Sequence, residues 1–191
     1  MKKAKNAINF PTILTLARII LVAPLMIFMF NDGVIMKVLA LICFIVAAVT
    51  DFVDGRLARK NDQVTDLGIF LDPLADKMLV NLTFFALCVQ GVIVPWIFGI
   101  ILIRDFAVDG MRMMIAKKGE AVAASKIGKA KTMTQMFALV FTMITVILTE
   151  NGQNIDILNI ISAILLCVAV ILTIWSGLDY LIKGWKKAII K

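Results

Sequence analysis

Four aspartates carry the clearest chemistry in this chain. Asp51 and Asp54 stand three residues apart and Asp72 and Asp76 four apart, spacings that return side chains to one face of an α-helix. If residues 51 to 62 are helical, Asp51, Asp54, Gly55, Ala58 and Arg59 fall within an arc of about 140°. Gly68, Asp72 and Asp76 recur at i, i+4 and i+8 and span about 80° on a second helix. Four carboxylates at one depth cannot all ionise within a few ångströms of one another unless cations neutralise them, and two divalent ions do so. The chain has no His, and Cys43, Cys88 and Cys167 lie far apart in apolar stretches as expected buried free thiols. Oxygen-only ligands select hard ions, Mg²⁺ or Mn²⁺, and Mg²⁺ usually completes its shell with substrate phosphates. The expected substrate therefore bears phosphate. Gly55 and Ala58 leave room for a nucleotide or diphosphate to approach the backbone, and Arg59 has the geometry for paired hydrogen bonds to phosphate. The same small residues also suit close helix packing.

The elements that position these residues are membrane helices. Hydrophobic residues make up 61% of the 191, charged residues only 17%, and the mean hydropathy is +0.97. That balance excludes a soluble globular enzyme, a disordered chain and a coiled coil. Apolar runs lie at roughly 12–30, 34–50, 67–89, 92–111, 132–149 and 155–182. Six spans of ~20 residues leave about 70 for tails and loops, too few for a large extramembrane domain. Pro11 and Pro95 suit the first turn of a helix, and Asn31-Asp32-Gly33 and Asn151-Gly152 suit turns. The expected architecture is an all-α integral membrane protein, with a basic surface segment at 1–10 and a six-helix transmembrane catalytic domain at 11–191.

Charge gives that architecture an orientation. Lys2, Lys3 and Lys5 precede the first run, and Arg56, Arg59 and Lys60 follow the second. Lys117, Lys118, Lys126, Lys129 and Lys131 separate the fourth from the fifth, and Lys183, Lys186, Lys187 and Lys191 end the chain. The other three connections, near 31–33, 90–94 and 150–154, hold no Lys or Arg. The positive-inside rule puts both termini in the cytoplasm, as expected for a multi-pass plasma-membrane protein. Arg18, Asp51, Asp54, Asp72, Asp76, Lys77, Arg104, Asp105 and Asp109 then fall in or near the inner-leaflet half, which implies one polar cavity open to the cytoplasm. The net charge of +7 suits anionic membrane lipid, and no nucleic-acid motif accompanies it.

Read as a string, Asp51-x2-Asp54-Gly55-x2-Ala58-Arg59-x8-Gly68-x3-Asp72-x3-Asp76 resembles the full signature of the CDP-alcohol phosphotransferase family. The resemblance implies six transmembrane helices, a homodimer, and two divalent metals held by Asp51, Asp54, Asp72 and Asp76. It also implies transfer of a substituted phosphoryl group from a CDP-linked lipid to an alcohol, with release of CMP. It assigns Asp76 the general-base role, and Gly55, Ala58, Arg59, Thr65 and Thr12 contact with the CDP-lipid. The segment Asn9 to Arg18 with Pro24, the stretch Arg104-Asp105 through Gly110-Met111-Arg112, and Ser125-x2-Gly128-Lys129-x-Lys131-Thr132-x2-Gln135 resemble family members that take sn-glycerol 3-phosphate. Asp105 and Asp109 depart from their usual Glu and Ser. CDP-diacylglycerol and sn-glycerol 3-phosphate are thus the implied substrates, with inositol phosphate, serine or phosphatidylglycerol as the alternative acceptors within the family. Arg104, Arg112, Lys126, Lys129 and Lys131 supply more positive charge than serine or inositol needs, which fits a phosphorylated acceptor. A membrane prenyltransferase also pairs aspartates with a diphosphate, and a small ion transporter also holds intramembrane carboxylates. Only the CDP-dependent transferase makes CMP.

Overall fold

The computed structural model describes residues 10–60, 66–117, 126–153 and 156–189. Within them it describes all side chains except those of 10–12, 51–60, 66–73, 76, 116–117, 126, 129, 183 and 185–189. The described residues form six α-helices: α1 (Phe10–Phe30), α2 (Val34–Lys60), α3 (Asp66–Val89), α4 (Pro95–Lys117), α5 (Lys126–Glu150) and α6 (Asp156–Ile189).

Each apolar run falls largely within one helix, and four helices continue well beyond their run. Helix α2 runs on past Thr50 to Lys60, α4 continues to Lys117, α5 already begins at Lys126, and α6 continues to Ile189. Hydropathy marks where a helix is apolar, whereas its i→i−4 hydrogen bonds persist through polar helix formers such as Arg59 and Lys60. Among the described residues, three stretches are long and apolar enough to cross a membrane: Ile13–Phe30, Ala130–Glu150 and Asp156–Ile182. Val34–Thr50 and Lys77–Val89 are shorter apolar helical segments. In α4, Arg104, Asp105, Asp109 and Arg112 interrupt the apolar sequence.

The turns follow local rules. Pro95 starts α4, where its missing N–H costs no helical bond. Gly152 ends α5 at φ +72°. Its N–H donates to the Thr149 carbonyl at 2.9 Å, and the Gln153 N–H donates to that of Leu148 at 3.1 Å. This pair of bonds caps orphan carbonyls in a left-handed turn that a side chain resists.

The chain divides into two compact units. In the first, α1 packs against both α2 and α3, and α2 meets α3; the end of α5 from Val146 also belongs to this unit. Its core comprises Val22, Leu25 and Met29 of α1, Ala40, Phe44 and Ala47 of α2, and Leu79, Val80, Phe84 and Leu87 of α3. The buried Lys37 ties the three helices together: its Nζ donates to the Met29 carbonyl and, at 3.1 Å, to Gln90 Oε1.

The second unit holds α4, α5 as far as Thr145, and α6. Val108, Met111 and Ile115 of α4 pack on Tyr180 and Leu181 of α6. Two α6 glycines permit the close approach. A Cβ on Gly177 would stand 2.8 Å from Arg104 Cγ, and one on Gly184 would stand 2.7 Å from Met111 Cγ. Outward, α6 exposes Ile157, Ile164, Ile171 and Trp175, a surface suited to lipid rather than water. Cys167 is also exposed while Cys43 and Cys88 are part-buried, all three as free thiols. This corrects the expectation of burial for Cys167, since an apolar helix in lipid can turn a small hydrophobe either outward or inward.

Candidate active site

The two aspartate pairs lie toward the ends of α2 and α3 that are adjacent in the chain. Asp51 and Asp54 lie before the end of α2 at Lys60, and Asp72 and Asp76 after the start of α3 at Asp66. At 1.5 Å per residue those positions are ~13 and ~9 Å from the end of α2, and ~9 and ~15 Å from the start of α3. Five residues, 61–65, separate those two ends in the chain, and α2 packs against α3.

Helical phase relates each pair to the buried row of its own helix. Lys37, Ala40, Phe44 and Ala47 are the buried row of α2. Continued at 100° per residue, the centre of that row passes through Asp51, with Asp54, Gly55 and Ala58 within about 60° of it. Ala75, Leu79, Val80, Thr83, Phe84, Ala86 and Leu87 set the buried arc of α3. Asp72 and Asp76 fall within about 30° of its centre. By helical period alone, each pair follows the buried row of its own helix, and carboxylates kept from water need cations. The side chains of Asp51, Asp54, Gly55, Ala58, Arg59, Asp72 and Asp76 lie outside the described residues, as do that of Thr12 and all of Thr65. Among the described residues no three metal-ligating side chains gather.

The second unit holds a polar junction of its own. Asp105 Oδ1 accepts from Lys131 Nζ at 2.7 Å and from Arg104 Nη1 at 3.0 Å. Arg104 Nη2 donates to Ser176 Oγ at 2.9 Å. Asp105 is 6% exposed and Lys131 4%, so α4, α5 and α6 meet at a buried, charge-assisted network. Further along α5, Gln135 Nε2 donates to Thr173 Oγ1 at 3.1 Å, a second tie to α6.

Arg112 stands apart from that junction. Its guanidinium lies 5.4 Å from the centroid of the Tyr180 ring, within reach of a cation–π interaction. The Tyr180 hydroxyl is buried and has no hydrogen-bond partner among the described residues. Of the five cations expected at an acceptor phosphate, the structure thus joins Arg104 and Lys131 on one carboxylate and seats Arg112 on Tyr180. Lys126 and Lys129 lie on the first turn of α5, with side chains outside the described residues. Sequence reasoning saw Asp105 only as a retained carboxylate and assigned nothing to Ser176 or Gly177. Their partners are distant in the chain, and a helical period carries no signal across helices.

A family model described as CDP-alcohol phosphatidyltransferase matches residues 8–175, which include all four aspartates, Arg104, Asp105, Lys131 and Arg112. The chain belongs to the CDP-alcohol phosphatidyltransferase family. The relatives align along nearly the whole chain, so the likeness extends beyond the segment to about residue 135 that carried the resemblance in sequence. The CDP-diacylglycerol--glycerol-3-phosphate 3-phosphatidyltransferase of Bacillus subtilis (strain 168) is 37% identical over 190 residues, 93% of this chain and 96% of its own. The protein of the same name from Rickettsia bellii (strain RML369-C) is 36% identical over 181 residues, 94% of this chain and 96% of its own. The CDP-diacylglycerol--glycerol-3-phosphate 3-phosphatidyltransferase 2 of Arabidopsis thaliana is 34% identical over 197 residues, 96% of this chain and 82% of its own.

Proposed function

We propose that this chain transfers the phosphatidyl group of CDP-diacylglycerol to sn-glycerol 3-phosphate, giving phosphatidylglycerophosphate and CMP in phospholipid biosynthesis. The observation that carries the reading is likeness over more than nine-tenths of the chain to relatives named for this reaction. The chemistry of the residues agrees with it, an oxygen-only donor set for a diphosphate and a group of cations for a second phosphate.

Asp51, Asp54, Asp72 and Asp76 would hold two divalent cations, Mg²⁺ or Mn²⁺, whose contribution is to neutralise the diphosphate and the departing CMP. Asp76 accepts the proton from the primary hydroxyl of the acceptor as that oxygen bonds to the lipid-side phosphorus. The bond from this phosphorus to the CMP phosphate oxygen breaks in the same displacement. Gly55 and Ala58 admit the nucleotide to the backbone, and Arg59, with Thr12 and Thr65, holds the CDP-lipid. Arg104, Arg112, Lys126, Lys129 and Lys131 receive the acceptor's phosphate. Catalysis then rests mainly on positioning and charge neutralisation, as is general for phosphoryl chemistry.

The proposed setting is the plasma membrane, crossed by all six helices, with both termini and the active site facing the cytoplasm. Support comes from the uneven distribution of Lys and Arg and from the charged ends of α2, α3 and α4, which need a water-filled cavity. A homodimer and contact of the basic tails with anionic lipid complete the proposal.

The test is CMP release by the detergent-purified full chain with CDP-diacylglycerol, with glycerol 3-phosphate, serine, inositol and inositol phosphate compared in parallel. Turnover with glycerol 3-phosphate alone is expected. Turnover with a different acceptor would keep the family and discard the acceptor; no CMP from folded protein with any acceptor would discard both.

A further inference from the structure

We propose that Asp105 is a positioning residue for the acceptor-phosphate site, holding Lys131 in place and fixing α4, the helix of Arg112, against α5 and α6. The inference rests on the assignment of that site to the second basic set. Asp105 Oδ1 is shared by Lys131 Nζ at 2.7 Å and Arg104 Nη1 at 3.0 Å. A lysine ammonium on a flexible four-carbon stem has no intrinsic preference for one position. A buried carboxylate at this distance gives it one, because in a poorly solvated site the charge pair far outweighs rotamer freedom.

The network continues into α6. Arg104 Nη2 donates to Ser176 Oγ, whose hydroxyl donates in turn to the Thr173 carbonyl at 3.2 Å. The aliphatic stem of Arg104 lies where a Cβ on Gly177 would be, so backbone and hydroxyl of consecutive α6 residues seat the guanidinium. Asp105 is thereby fixed from α5 on one side and, through Arg104, from α6 on the other. Arg112 follows Asp105 by seven residues, two turns along nearly the same side of α4. Any slip or rotation of α4 that loses the Asp105 contacts also moves Arg112 relative to Tyr180 on α6 and to Lys131 on α5. Neither Asp105 nor Ser176 needs to touch the acceptor for this effect.

The test compares Asp105→Asn, Asp105→Glu, Ser176→Ala and Arg112→Ala in the full-length chain. For each, KM for glycerol 3-phosphate, KM for CDP-diacylglycerol, kcat and the unfolding temperature are measured. Asp105→Asn is expected to raise the acceptor's KM by about tenfold or more and to leave that of CDP-diacylglycerol unchanged. Asp105→Glu, which keeps the carboxylate, should recover most of the loss. Ser176→Ala weakens only the far anchor and should raise the same KM by a smaller factor, which keeps the inference testable if Asp105→Asn does not fold. A merely structural ion pair would lower the unfolding temperature and leave both KM values alone, or move them together, and either pattern overturns the proposal. If Arg112→Ala raises the acceptor's KM selectively while Asp105→Asn and Ser176→Ala do not, the positioning role alone fails. If Arg112→Ala is also silent, the assignment of the acceptor site fails instead.

Discussion

Replacing Gly177 by Ala should destabilise the protein although alanine is the better helix former. An ideal Cβ at this position stands 2.8 Å from Arg104 Cγ, 3.6 Å from Nε and 3.8 Å from Cδ. Carbon atoms prefer separations of about 3.5–4.0 Å, so the arginine stem must retreat by roughly 0.7 Å or more. It is not free to do so, because its Nη1 is held by Asp105 at 3.0 Å and its Nη2 by Ser176 at 2.9 Å. Giving up one hydrogen bond to a charged group costs about 1.5–3 kcal/mol, and the Gly-to-Ala gain in helix propensity returns about 1 kcal/mol. The net loss is about 0.5–2 kcal/mol, which for a chain of this length lowers Tm by about 1–8 °C. The assay is thermal unfolding of the detergent-solubilised full chain, followed by circular dichroism. The decisive comparison is the same substitution in an Arg104→Ala background, where the obstructing stem is absent. There Gly177→Ala should raise Tm by about 2–4 °C. The same sign of effect in both backgrounds would refute the seating of Arg104 on α6.

The remaining predictions concern the proposed metal site and the buried lysine of the first unit. Asp76→Asn should reduce turnover by about 10²–10⁴-fold in folded protein that still binds CDP-diacylglycerol; normal turnover would sink the general-base assignment. Chelation by EDTA should abolish CMP release and added Mg²⁺ or Mn²⁺ should restore it, whereas activity that survives exhaustive chelation would discard the two-cation site. Lys37→Met removes the donor to the Met29 carbonyl and to Gln90 Oε1 and should cost about 1–3 kcal/mol, read as an earlier unfolding transition with unchanged KM values. An unchanged transition would show that Lys37 does not clamp the helices.

The number of helices was legible because helix formation is local. Apolar runs, Pro95 at a helix start and Gly152 at a helix end each act within a few residues, and all reappear in the fold. The expected face of Asp51 and Asp54 required helix beyond residue 50, and α2 does continue to Lys60. That continuation was only a condition in the sequence, since hydropathy falls at Asp51 whether or not the helix stops there. Hydropathy also marked six runs, and among the described residues three helical stretches are long and apolar enough to cross a membrane by themselves.

What the sequence by itself determined is the set of helices, their turns and the phase of residues along each one, because backbone hydrogen bonds join residues four apart and the period is fixed. Tertiary structure alone decided which charges meet. Lys131 reaches Asp105 across 26 residues, Lys37 reaches Gln90 across 53, and Arg104 reaches Ser176 across 72. Those partners depend on how each helix is rotated and staggered against its neighbours. In a soluble protein the apolar stripe would disclose that rotation, but lipid is as apolar as a protein core. Exposed Cys167 and buried Leu166 are therefore equally hydrophobic neighbours on α6, and only packing distinguishes the face that meets α4 from the face that meets lipid.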